Sequence, residues 1–369
     1  MKEYNWRQER EKYRPDFQKE NTPVSEVAEN EPVKKTFPIK LLVIVGIVLL
    51  AAVIVGAVFT LKSKDSSTQL AEAAEKHKTA VGLVALTVEL QNGKKLTNPV
   101  GTAWAFSENR FATNGHVANG LRETLQQLVN NSAMELLEAI AKKHGCKSVK
   151  ELLEKLGPQA NTVLEGAKKE IMAMIKSVRA DIIINGTQRK SYSVTHVQVH
   201  KDYGSVGTKF DPDVAILTVD GKHNNYFRLA DKNTLYALKS GTPIAFLGFP
   251  MENLNNDNVN VDNPVASMQS GIVVAVSDFE MKDAGKTGNF LLRHNLPATG
   301  GASGSPIFNQ KGEVVALLYA INVIGQVQPG KSGVVVTRAP SGVQINFGVR
   351  ADLLEGIGKA VSIKEFLNL

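Results

Sequence analysis

One cysteine, Cys146, is all that 369 residues contain, so no disulfide can form within the chain. That excludes the stapled architecture of disulfide-dense secreted domains, although it does not exclude an oxidising compartment. The usual metal signatures are missing too, since there is no His-Glu-x-x-His run and no pair of cysteines. A phosphate-cradling Gly-x-x-x-x-Gly-Lys loop is absent. The net charge of +7 comes without a basic–aromatic motif of the kind that reads bases. Its lysines are scattered and mostly interleaved with glutamates, the pattern of a solvated basic surface. No cofactor, no metal and no nucleic-acid partner are therefore expected.

Charge is also missing from Leu41–Leu61, "LLVIVGIVLLAAVIVGAVFTL", which Lys40 and Lys62 bracket. About 20 apolar residues suffice to cross a bilayer as a helix. A core helix would carry a polar stripe, and a signal peptide would have a shorter apolar run nearer the start. The stretch 39–61 is expected to be a permanent transmembrane helix with the lipid bilayer as its partner. Lysines close to the span are balanced on its two sides, but the tail adds Lys2, Arg7, Arg10, Lys12, Arg14 and Lys19. The expected topology is therefore a single pass through the cytoplasmic membrane, with the N-terminus inside and the following domain on the periplasmic or extracellular side. Residues 1–38 are polar, mixed in charge and interrupted by Pro15, Pro23, Pro32 and Pro38, which predicts disorder.

A linker, 62–78, leads to short apolar runs punctuated by glycine, asparagine and aspartate. Strands are predicted at 79–90, 101–106, 180–186, 193–200, 214–220, 242–249, 271–277, 289–294, 313–323 and 333–338, the rhythm of an all-β barrel or sandwich. One block departs from it. Across 119–178 the apolar residues recur at helical spacing, as in Leu121, Leu125 and Leu128, then Leu152, Leu153 and Leu156, then Val163, Leu164, Ala167 and Ile171. Ser148 with Glu151 has the form of a capping box. Two or three inserted helices are expected there, and a short terminal helix in 351–369.

"GGASGSPIF" (300–308) holds two candidate nucleophiles, Ser303 and Ser305. A serine needs a histidine as base, and the histidine needs a carboxylate to set its tautomer. Seven histidines are present, of which His116 stands in "RFATNGHVANG", just after two strand-like stretches. Asp213 in "FDPDVAIL" immediately precedes an apolar strand, while its rival Asp211 precedes Pro212 and has the form of a turn residue.

In conjunction, "GTAWAF…FATNGHVA", "DVAIL" and "GASGSPIFNQKGEVVAL" resemble the trypsin/chymotrypsin-fold serine peptidases, and most of all the bacterial HtrA-type proteases. "GFP" (248–250) and "SGIVVAV" (270–276) add to the likeness, which spans about 79–350. The order His, Asp, Ser is neither that of α/β-hydrolases nor that of subtilisins. The resemblance implies an all-β double β-barrel (chymotrypsin-like), here with an α-helical insertion. It implies a catalytic triad of His116, Asp213 and Ser303, with the Gly301 and Ser303 N–H groups as oxyanion hole. Ser305 takes the place of the family's second glycine. Ala302 stands where digestive members carry an aspartate, which argues against their zymogen activation, and no PDZ domain is recognised after 350. The pocket walls, about 295–299 and 317–322, carry no acid, so cleavage after small or apolar residues is expected. The expectation is a membrane-anchored serine endopeptidase acting on protein or peptide substrates; the alternative is a protease-fold scaffold with a gated or inactive site. HtrA-type relatives are often trimers, which makes a homo-oligomer one state to expect. The insertion directly after His116 either gates the cleft, binds a partner, or merely pads the barrel.

Overall fold

The computed structural model describes residues 65–369 except 187–189, 251–259, 322, 331–332 and 341–344, and only the backbone of 323–330 and 333–340. The expected tail 1–38 and membrane helix 39–61 thus lie outside the described residues. Among the described residues no helix is long and apolar enough to cross a membrane.

Strand β1 (Val81–Leu90) shows how the sequence builds the first barrel. Leu83 and Ala85 join one buried cluster while Val84, Leu86 and Val88 join another, the two-residue period of a strand with both faces covered. A turn at Asn92 and Gly93 reverses the chain; Gly93 takes φ of +83°, and the Asn92 side chain accepts from the Lys94 N–H at 3.0 Å. β2 (Lys95–Ser107), β3 (Arg110–Thr113), β4 (Ile175–Ile184), β5 (Ser191–Val199) and β6 (Ala215–Val219) complete the set. They pair in the order β5-β4-β1-β2-β3-β6, and β6 returns to β5, closing six antiparallel strands.

The second barrel closes in the same way. β8 (Pro243–Gly248), β9 (Ser267–Ser277), β10 (Leu291–His294), β11 (Pro306–Phe308), β12 (Glu313–Ala320) and β15 (Asn346–Arg350) pair as β11-β8-β9-β10-β15-β12, with β12 returning to β11. The short β7 (Arg228–Leu229) runs parallel beside β12, and β13 (Val323–Gly330) pairs with β14 (Gly333–Pro340) as a separate hairpin. The fold is therefore a double β-barrel of the chymotrypsin-like kind. Leu83, Trp104 and Ile183 of the first barrel share one buried cluster with Leu247, Phe308 and Val349 of the second. Leu70, Ala73 and Ala74 of α1 (Ser66–His77) seal that seam.

Between β3 and β4 stand α2 (Gly115–Lys143), α3 (Val149–Leu156) and α4 (Ala160–Met174). The first half of α2 packs Val117, Leu121, Leu125 and Val129 into the first barrel's cluster. Farther out, Ala133, Leu137, Val149 and Ala167 form a small core belonging to the helices alone. Ser148 caps α3, accepting from the Glu151 N–H at 3.2 Å, and Glu151 answers by accepting from the Lys147 N–H at 2.8 Å.

Three sequence expectations shift. Helical spacing runs through Ile175 and Val178, but these residues belong to β4, where Val178 lies opposite Val88 and Ile175 opposite Leu90. Sheet pairing overrides a pattern that fits both periods. The stretch 313–323 breaks at Ala320, and a new strand begins at Val323. After β15 there is a 3-10 turn (Ala351–Gly356), then β16 (Val361–Ser362) paired with β5, then a single turn of α-helix, Ile363–Leu367. Leu367 ends buried among residues of the first barrel, so this tail straps the second barrel back to the first.

Candidate active site

Asp213 sits just before β6 with its side chain only 2% exposed. Its carboxylate takes two hydrogen bonds from one residue: the His116 backbone N–H donates to Oδ1 at 2.7 Å, and His116 Nδ1 lies 2.5 Å from Oδ2. His116 is the second residue of α2, whose N-cap is Asn114. The Asn114 side chain does not cap the helix; its amide donates instead to the Asp213 carbonyl at 2.8 Å. The acid therefore replaces the missing cap, satisfying a first-turn N–H and placing negative charge at the positive end of a long helix. One carboxylate thus fixes both the ring and the helix that carries it.

Gly115 makes this approach possible. A Cβ there would lie 2.9 Å from the Tyr203 ring and 3.0 Å from Asp213 Oδ1. Tyr203 and Tyr319 flank the acid, and burial, reinforced by the charges on Asp213 and Asp211, pushes both phenols up. Both stay protonated at neutral pH. Asp211 accepts from the Gly204 N–H at 2.8 Å in an exposed turn, as its turn-like sequence suggested.

Ser303 is half-buried in the loop before β11, between Gly301 at φ +84° and Gly304 at φ +85°. The Thr102 N–H donates to the Ser303 carbonyl at 2.9 Å, and the Gly304 N–H donates to Leu318 of β12 at 2.9 Å. A Cβ on Gly304 would run into the Thr102 carbonyl and the Thr113 hydroxyl, so only glycine fits. Beside Gly101 the two halves meet. A single Cβ on Gly101 would lie within 2.8 Å of Val117, the residue after His116, and 3.2 Å from the Ser303 carbonyl.

Among the described residues, the N–H groups of Gly301 and Ser303 donate to nothing, whereas those of Ala302, Gly304 and Ser305 are all bonded. Two unpaired donors separated by one residue, beside a half-buried serine, are what an oxyanion requires. Ser305 is fully buried, its hydroxyl packed against Gly248 and without a partner among the described residues. No substrate can reach it without the loop unfolding.

The His116 side chain is 41% exposed, and His144 and His196 are exposed as well; of the three, His116 is the one paired with a buried carboxylate. His77, His200, His223 and His294 are buried, and burial lowers each pKa. For His294, burial outweighs a weaker pull from the Phe347 backbone and brings the value to about 4. Between that value and the unfolded 6.5, the unfolded chain holds a proton that the folded chain refuses, so stability rises with pH across this window. Acidification from pH 7 to 4 is expected to remove about 3 kcal/mol through this residue alone. Urea midpoints of wild type and His294→Gln at pH 7 and pH 4.5 check it, the variant having the flatter pH dependence.

Among the described residues no three His, Cys, Asp or Glu side chains converge as a metal site. Cys146 lies buried in the insertion. Sequence reasoning missed Asn114 and Tyr203, whose contacts come from residues distant in the chain. It quoted Thr102 only as part of a strand.

Two closed barrels, with a histidine–aspartate pair on one and a serine loop on the other, define a chymotrypsin-like architecture. The family model for the trypsin-like peptidase domain matches residues 101–317, more than half of the chain, and the chain belongs to that family. No curated protein matches it. Solved structures similar to it include the HtrA-type protease AlgW with a decapeptide, at 14% identity and a TM-score of 0.40, covering 78% of this chain and 67% of that one. Another is Deg5, at 12% identity and a TM-score of 0.39, covering 80% of this chain and 94% of that one.

Proposed function

We propose that this protein is a serine endopeptidase, anchored by residues 39–61 in the cytoplasmic membrane with its catalytic domain outside. The observation that carries the reading is the buried Asp213 holding His116 by both ring and backbone, across the seam from a serine loop with two unpaired amides. In the reaction, Ser303 Oγ attacks the scissile carbonyl carbon. His116 Nε2 takes the hydroxyl proton and later returns it to the leaving amine, while Asp213 stabilises the imidazolium. The oxygen that gains charge accepts hydrogen bonds from the Gly301 and Ser303 amides. Water then repeats the sequence on the acyl-enzyme and releases the acid.

The stretch from Asn295 to Thr299 and the end of β12 supply apolar and neutral side chains, with Leu296 and Leu318 buried. A small or medium apolar side chain on the acyl side of the cut suits such walls. The test is to treat the purified protein with a fluorophosphonate and map the adduct by peptide mass spectrometry. An adduct on Ser303 supports the peptidase; a well-folded protein that takes no adduct would turn the reading toward a protease-fold scaffold.

A further inference from the structure

We infer that Thr102 is a positioning residue that locks the oxyanion loop, its hydroxyl bridging the Gly301 carbonyl to the Phe249 N–H. This rests on the peptidase reading above and concerns how its loop is held.

Thr102 is fully buried on β2, and every hydrogen-bonding group it has is engaged. Its hydroxyl donates to the Gly301 carbonyl at 2.9 Å and accepts from the Phe249 N–H at 3.1 Å. Its own N–H donates to the Ser303 carbonyl at 2.9 Å, and its carbonyl accepts from the Thr113 hydroxyl at 2.7 Å. The effect emerges peptide by peptide. The 301–302 unit is pinned at both ends, its carbonyl by the Thr102 hydroxyl and its N–H by Thr299. So is the 303–304 unit, its carbonyl by the Thr102 N–H and its N–H by Leu318. The two unpaired donors belong to the units in between and before, 302–303 and 300–301. They stay unpaired and aimed because their neighbours cannot turn.

The weak point is Gly301. At φ +84° it has no Cβ to oppose rotation, so the 301–302 unit can flip at little steric cost unless its carbonyl is held. A flip would rotate the hole out of shape. The Thr102 hydroxyl is the one side-chain group bonded to that carbonyl among the described residues. Through Phe249 it also ties the loop to the end of β8, making one hydrogen-bonded chain from the second barrel through β2 back to the nucleophile loop.

The experiment compares Thr102→Val, which keeps the shape and loses the hydroxyl, with Thr102→Ser, which keeps the hydroxyl. Peptide hydrolysis and amide hydrogen exchange are both measured well below each variant's melting temperature. Thr102→Val is expected to lower kcat by about ten- to a hundredfold with KM within about twofold, because the amides act on the transition state rather than on bound substrate. Exchange at Ala302 and Gly304 should rise. Thr102→Ser is expected to restore both. A hydroxyl that served only global stability would lower the melting temperature of Thr102→Val and leave kcat and loop exchange as in wild type. That result, or a serine variant as impaired as the valine one, overturns the inference. If Thr102→Val does not fold, Thr102→Cys, with its feeble donor, takes its place. A wild type inert toward substrate and fluorophosphonate would sink the peptidase reading, and the exchange comparison would still decide for or against the lock.

Discussion

Under the proposed peptidase mechanism, Ser303→Ala is expected to lower kcat/KM by about 10⁵-fold or more, with no loss of thermal stability, because a triad of this kind acts as a unit and fails whole when its nucleophile goes. The hydroxyl removed belongs to a half-buried residue whose loop is held through its backbone, by Thr102 and, via Gly304, by Leu318. Nothing in that scaffold depends on the side chain. Ser305→Ala provides the contrast within the same loop. Its hydroxyl is buried and unpartnered, so removing it relieves a desolvated polar group, and stability should hold or rise by about 1 kcal/mol. Activity in Ser305→Ala should stay within about threefold of wild type, since the hydroxyl faces Gly248 and away from the cleft. Steady-state cleavage of an apolar peptide substrate and thermal melts of both variants make the check. A dead Ser305→Ala beside an active Ser303→Ala would reverse the assignment.

The same pair shows what a sequence can reveal about this site. Ser303 and Ser305 differ by two positions and share their surroundings in the text of the chain. Glycines on both sides of Ser303, at 301 and 304, mark it as the one that needs an unusual backbone, and both do adopt positive φ. His116 and Asp213 are not visible one by one, since a lone histidine after a strand is ordinarily structural; they stand out only in conjunction with the serine loop, in the order His, Asp, Ser, through the resemblance to the chymotrypsin-fold peptidases. The helix on which His116 rides was less visible. Periodicity suggests a start near Asn119, yet α2 begins at Gly115, because its first turn is capped by a carboxylate 97 positions away. No local motif can announce such a cap. Thr102 was hidden for the opposite reason: a threonine in a β-strand is ordinary, and its importance lies wholly in what folds against it. Ile175 and Val178 misled because branched apolar residues at helical spacing also suit a strand, and only the pairing with β1 decides between the two.

Asp213→Asn is expected to lower kcat by about 10⁴-fold while the protein stays folded. The direction follows from the geometry of this carboxylate. The His116 backbone N–H, 2.7 Å from Oδ1, can only donate, so it selects the amide oxygen of the new asparagine. The amide nitrogen must then face His116 Nδ1, which lies 2.5 Å from the other carboxylate oxygen. A donor in that position requires Nδ1 to be an acceptor, and the ring proton moves to Nε2. The nitrogen that should receive the Ser303 proton now carries one of its own. The helix loses a charge but keeps a hydrogen-bonded cap, so the melting temperature should fall by only a few degrees, an effect of about 1 kcal/mol. Asp213→Ala separates the two duties. It removes the tautomer constraint and the cap together, leaving the His116 N–H and the buried end of α2 unsatisfied, and should cost about 2 kcal/mol or more of stability besides activity. Proton NMR of the imidazole in Asp213→Asn, with the ring N–H moved from Nδ1 to Nε2, is the decisive reading. A variant with the wild-type tautomer and the same loss of rate would show that Asp213 works by charge alone.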